Sequence, residues 1–323
     1  MLFMSNCKWK GFITLSLWSL FLIGIVAYAL FSQLDWQSSL TPTLIWQVRL
    51  PRVLLALLAG MGLTLAGQMY QLILNNPLAD SFTLGLANGA TLGAAIAIFS
   101  GLTFIWVAPF AIVFGILTLV VVMIVAQLLS SGYPTKSLIL SGIMLGSLLN
   151  AALYLLVQLN PTRLQNILGY LFGGFSSAEY REVGYVFVTL IVVVTYLFLL
   201  APQIKLLQLN TFSSASLGLN VQRLSLMVLM CATVLATVII GYVGVIGFIG
   251  MVVPQFIQRT IRAGLPYKMV MNLVIGGSVM VLADVVGAQL LAPIQLPASI
   301  ILALLGIPLM FYLMIVEGRR TID

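Results

Sequence analysis

Apolar residues in this chain neither alternate nor form narrow stripes. They run on for about twenty positions at a time, and short polar breaks separate the runs. Ten such runs predict helices at about 11–31, 52–74, 84–100, 104–129, 137–158, 183–201, 224–242, 244–260, 269–291 and 298–316. With a rise of 1.5 Å per residue, a run of about 20 residues crosses a hydrocarbon layer of about 30 Å. Continuous rather than alternating runs argue against a β-barrel. The expected fold is an all-α integral membrane protein of about ten transmembrane helices. It forms a single membrane domain over residues 1–323, because no polar segment is long enough for a soluble one. The glycines from Gly241 to Gly247 read either as a turn between two helices or as a break within one.

The most informative stretch is residues 49–93. It opens with Arg49 and Arg52 around Pro51, runs apolar to Leu74, and breaks at Asn75-Asn76-Pro77-Leu78-Ala79-Asp80. That break is turn chemistry: proline removes a donor, and Asn and Asp side chains satisfy free backbone groups. A second apolar helix follows, with Gly89 and Gly93 spaced for close approach to a neighbouring helix.

Composition supports this reading. Hydrophobic residues make up 62% of the 323 positions and charged residues 7%, too little polar surface for a soluble fold of this length. The net charge of +7 comes from basic residues set singly between apolar runs, so they read as topology signals and not as a nucleic-acid surface. With the N-terminus inside, Lys8, Lys10, Lys136, Lys205, Arg223, Arg259, Arg262, Lys268, Arg319 and Arg320 face the cytoplasm. Only Arg49, Arg52, Arg163 and Arg181 face out, and the even number of spans puts both termini inside. Glu179 and Glu182 lie near enough in sequence to offset Arg163 and Arg181. Lys8 and Lys10 lead into an apolar run without a cleavage site, which reads as a retained first span. Cys7 and Cys231 suggest neither a disulfide framework nor a soft-metal site.

The longest polar break, 202–223, starts where Pro202 is expected to end the sixth span. Its many leucines suit either a surface helix at the lipid interface or a docking element for a cytoplasmic partner. Asn210 is placed to cap a short helix there and Gly218 to end one.

The chain has no histidine and only seven acids, which removes histidine metal sites, catalytic triads and imidazole shuttles. Gly132-Tyr-Pro-Thr-Lys136-Ser137 resembles the end of a phosphate-binding loop, but Thr135 stands where glycine is required. No ATP hydrolysis is expected of this chain alone. Asp284 is the one acid inside an apolar run. It reads either as a structural carboxylate satisfied within the bundle or as a proton site, and no second intramembrane partner stands out.

Taken together, the motifs resemble those of the permease subunits of ABC importers for iron-siderophores, haem and cobalamin, the FecCD type. They are Arg49-Leu-Pro-Arg52, Asn76-Pro-Leu-Ala-Asp80, Leu84-Gly85 leading to Asn88-Gly-Ala90, Leu217-Gly218, Gly244 to Pro254, Ala283-Asp284, Leu296-Pro297 and Leu305-Gly-Ile-Pro308. They fall in family order from about residue 45 to 315. The resemblance implies a multi-pass subunit of the bacterial cytoplasmic membrane that pairs with an identical or homologous permease. A cytoplasmic ABC ATPase dimer would bind the ATP, and an extracytoplasmic substrate-binding protein would deliver the ligand. No cofactor, metal or catalytic residue is expected in this chain. The resemblance makes 202–223 the ATPase-coupling loop, carried by Leu209, Asn210, Ser214, Leu217 and Gly218, and makes Arg49 and Arg52 the docking residues for the binding protein. The chain departs from the family pattern at Asn210-Thr211, Ser214, Ser81, Gln255 and Ala288. The expected function is ATP-driven import of a siderophore or haem. The alternative is a proton-coupled secondary transporter working through Asp284.

Overall fold

The computed structural model of the chain describes residues 2–32, 34, 37, 39–129, 135–159, 161–208 and 220–320. Among them the regular structure is helical, without strands: α1 (Leu2–Phe31), α2 (Leu50–Leu74), α3 (Leu86–Phe99), α4 (Val107–Leu129), α5 (Thr135–Leu159), α6 (Leu164–Phe172), α7 (Tyr180–Leu206), α8 (Val221–Val243), α9 (Ile249–Thr260), α10 (Leu265–Gln289) and α11 (Ala298–Arg320). Each of the ten apolar runs holds one helix. The addition is α6, nine residues within the less apolar stretch between α5 and α7. Among the described residues, seven helices are long and apolar enough to cross a membrane, one of them extended at its start by the helical turns from Thr41 to Arg49. Shorter apolar helices occupy Leu86–Phe99 and Ala298–Tyr312.

One boundary differs from expectation. Pro202 does not end α7, which continues to Leu206. A proline deprives only the carbonyl one turn before it of a donor, and a membrane helix absorbs that loss. The cap of α8 falls on Asn220, whose side chain accepts from the Arg223 amide at 3.0 Å.

The centre of the bundle is α2, surrounded by α8, α9 and α10. Close approach there depends on missing side chains. A Cβ at Gly60 would stand 2.3 Å from the Gly276 carbonyl oxygen, and one at Gly67 would stand 1.8 Å from that of Gly250. The Thr64 hydroxyl lies 2.8 Å from the carbonyls of both Gly60 and Asn272, linking α2 to α10. Pro254 in α9 removes the helical donor to Gly250, and that carbonyl abuts α2 at Gly67. Gly89 and Gly93 of α3 meet Thr118 and Phe110 of α4 in the same way. Packing and carbonyl contacts replace the hydrophobic drive that lipid cannot supply.

Two connections between helices break the helical path inside the bundle. The segment between α2 and α3 leaves Asn75 with a left-handed φ of 44°. It then returns into the bundle beside Gly67 and Tyr70 before α3 begins. The segment between α8 and α9 turns at Gly244, φ 83°, and dips back so that α9 starts against Leu63 and Gly67 of α2. The two segments meet, with Phe82 packed on Gly247. Of the two readings of Gly241–Gly247, the turn holds: α8 runs antiparallel to α2, and α9 runs parallel to it. Non-helical backbone is tolerated at such depth only where protein buries it.

Candidate functional site

The two ends of α2 open into two different cavities. At its start, a cavity of about 560 Å³ is bounded by α6 and the turn after it, the segments after α3 and α8, and residues 295–298. Arg52, Arg163 and Asp284 line it. Arg52 and Asp284 form a bidentate ion pair, Nε to Oδ2 at 2.8 Å and Nη2 to Oδ1 at 2.9 Å, and Arg52 Nη1 donates to Gln295 Oε1 at 3.1 Å. Side-chain exposures of 18% and 9% make this a mostly buried pair. Fork-to-carboxylate geometry of this kind is the strong form of the interaction.

Asp284, which sequence reasoning left without a partner, therefore has one 232 positions away in the chain. The pair ties the start of α2 to the last turns of α10. Arg49 is also engaged: its Nη1 donates to the Leu30 carbonyl at 3.0 Å and to that of Ser32, joining the end of α1 to α2. The expected offset of Arg163 and Arg181 by Glu179 and Glu182 takes another form. The two glutamates build a capping box that starts α7, with the Glu179 amide donating to Glu182 Oε2 at 3.3 Å. Arg181 donates to the Tyr185 hydroxyl at 3.2 Å, and Arg163 Nη1 donates to the Ile98 carbonyl at 2.7 Å.

At the other end of α2 lies a cavity of about 510 Å³ lined by Gln68, Gln71, Asn75, Ser225, Gln258 and Lys268. Gln71 donates to the Met251 carbonyl at 3.0 Å and accepts from Gln255 Nε2 at 3.0 Å, so Gln255 helps brace α9 against α2. Leu207, Gln208 and Val221 also line this cavity. They flank residues 209–219, and the expected coupling residues Leu209, Asn210, Ser214, Leu217 and Gly218 lie outside the described residues. Between the two cavities, α2 packs closely on its neighbours at Gly60 and Gly67.

Sequence reasoning thus named Arg49, Arg52 and Asp284 but not the pairing of the last two. It missed the contributions of Gln71, Gln295 and the α6 segment. Arg163 was visible as an outward charge, but its placement in the same cavity as Arg52 was not. Helical periodicity could not have found these, because each partner comes from a distant run.

Comparison with known proteins gives a consistent result. Residues 7–316 match the family described as the FecCD transport family. A probable iron chelatin transport system permease protein of Helicobacter pylori is 36% identical over 273 residues, covering 84% of this chain and 82% of that one. An Fe(3+)-citrate import system permease protein of Bacillus subtilis is 31% identical over 278 residues, covering 86% and 83%. The vitamin B12 import system permease protein of Escherichia coli is 29% identical over 291 residues, covering 88% and 87%. A solved metal-chelate type ABC transporter in an inward-facing conformation superposes with a TM-score of 0.84 at 28% identity, covering 93% of this chain and 97% of that one.

Proposed function

The chain belongs to the FecCD transport family, and from that premise we propose that it is the membrane-spanning permease subunit of an ATP-driven importer that carries an iron chelate, a siderophore or haem, into the cytoplasm. The observation that carries the reading is the match over almost the whole chain to permeases named for iron chelatin, ferric citrate and vitamin B12. ATP binding and hydrolysis belong to a separate cytoplasmic ATPase dimer, coupled through 202–223. Ligand arrives from an extracytoplasmic binding protein. The Arg52 end of α2 faces out and the Gln68–Asn75 end faces in, with both chain termini inside a bacterial cytoplasmic membrane.

The cavities support this orientation. Arg52 and Arg163, outward by the charge rule, share one cavity, and Lys268, inward by the same rule, lines the other. Packing around the middle of α2 is close, since Gly60 and Gly67 lie directly on neighbouring backbone. A chelate therefore passes along the seam between two permease copies, and ATPase closure tilts the helices around that seam. Docking of the binding protein falls to Arg49 and Arg52, with Arg52 held in register by Asp284. The bidentate pairing with Arg52 gives Asp284 a structural role, which counts against the secondary-transport alternative.

The test is affinity purification of the tagged chain from its native membrane, followed by reconstitution. Co-purification of an ABC ATPase, and uptake of ferric chelate that requires ATP, is the expected outcome. A chain that emerges alone and moves substrate on a proton gradient overturns the proposal.

A further inference from the structure

We propose that Arg163 is the anion-recognising residue of the cavity at the Arg52 end, and that this cavity takes a small ligand through a carboxylate group. The volume of about 560 Å³ lies within the ordinary range of small-molecule sites. Two guanidinium groups and one carboxylate line it. Asp284 is held bidentately by Arg52, and Gln295 accepts from Arg52 Nη1. That leaves Arg163 facing the cavity without a carboxylate within 4 Å among the described residues. Its hydrogen bond to the Ile98 carbonyl fixes the guanidinium in place but does not neutralise it. Glu179 and Glu182 are committed to the start of α7.

The residues around Arg163 suit the same ligand. It closes a short helical turn, Pro161–Arg163, that leads directly into α6. Gly101, with φ 71°, leaves Nη2 room on one side: a Cβ there would stand 3.7 Å from it. Asn166, Ser176 and Ser177 add neutral donors to the lining. A guanidinium fork pairs with a carboxylate through two parallel charge-assisted hydrogen bonds, and a partly enclosed, net-positive cavity concentrates anions. Arg163 is half-buried and anchored inward on the Ile98 carbonyl, and unlike Arg52 it has no carboxylate partner among the described residues, so a small molecule inside the cavity suits it better than a docking protein.

The site rests on the importer reading only for the direction from which ligand arrives, so its test uses the full chain in detergent without ATPase. Radiolabelled citrate serves as the probe in equilibrium dialysis at low salt. Wild-type protein should bind it saturably, and Arg163→Gln should weaken binding about tenfold or more, the weight of a charge-assisted hydrogen bond. Arg163→Lys should fall between the two, keeping the charge and losing the fork. Unchanged thermal melting of both variants establishes that they fold. No saturable binding by wild type, or equal binding by Arg163→Gln, overturns the proposal. So does a variant that binds citrate normally but has lost affinity for the extracytoplasmic protein, since Arg163 would then be a docking residue. Failure of the importer reading shows separately, as the absence of an ATPase partner.

Discussion

The two breaks inside the bundle solve one problem by different means. The segment after α2 is polar and satisfies itself. Asp80 Oδ1 accepts from the amides of Phe82 and Thr83 at 3.0 and 2.9 Å, and Thr83 Oγ1 accepts from the Asp80 amide at 2.9 Å. Asn76 Oδ1 accepts from the Leu78 amide at 2.9 Å. With its backbone groups paired locally, the segment can bury Ala79 and Leu84 completely. The segment after α8 has no such side chains. Its long-range pairing comes from α6 and the turn after it: the Val245 amide donates to the Tyr170 carbonyl at 3.1 Å, and the Gly174 amide donates to the Val243 carbonyl at 2.9 Å. The first break is written in local residue chemistry. The second exists only because a distant short helix completes it.

That difference is open to test. The largest effect is expected from Gly244→Val. A Cβ there would lie 2.5 Å from the Tyr170 carbonyl oxygen, and the φ of 83° is a strained value for a branched residue. The combined overpacking and backbone strain amount to about 3 kcal/mol or more, so loss of monodisperse protein on size-exclusion chromatography is expected. Asp80→Ala should follow, at about 2–3 kcal/mol in detergent unfolding, since two part-buried amides lose their acceptor. Asp80→Asn should recover most of that, because the amide oxygen still accepts. Equal damage from both variants would mean that charge, and not acceptance, holds the first break.

Asp284→Asn tests the tie between α2 and α10 beside the second break. It leaves the mostly buried Arg52 without its counter-charge and should cost about 2 kcal/mol. Arg52→Gln combined with Asp284→Asn should be milder than Asp284→Asn alone. Tyr170→Phe removes the 2.8 Å hydrogen bond to the Ile240 carbonyl and should cost about 1 kcal/mol in the same unfolding assay. The smallest effect belongs to Asn75→Gly at the entrance to the first break. Glycine accepts the left-handed conformation freely, so stability should stay within about 0.5 kcal/mol of wild type.

The sequence by itself determined the class and the positions of the long helices, because a span of hydrocarbon dictates twenty consecutive apolar residues and little else does. It also determined the first break, where Asn75, Pro77 and Asp80 act within a few residues of one another. It marked Arg49, Arg52, Arg163 and Asp284 as unusual, since charge near lipid requires a reason. Only the tertiary structure decided what those charges do. Arg52 and Asp284 are paired across 232 positions, and Arg163, just before α6, lines the same cavity without a carboxylate within 4 Å among the described residues. Helix α6 itself was not legible, being too short for its period to register. The glycines were visible from the start, but which backbone each one meets depends on helix docking. In lipid that docking is set by shape and carbonyl contacts between distant segments, and no local pattern encodes it.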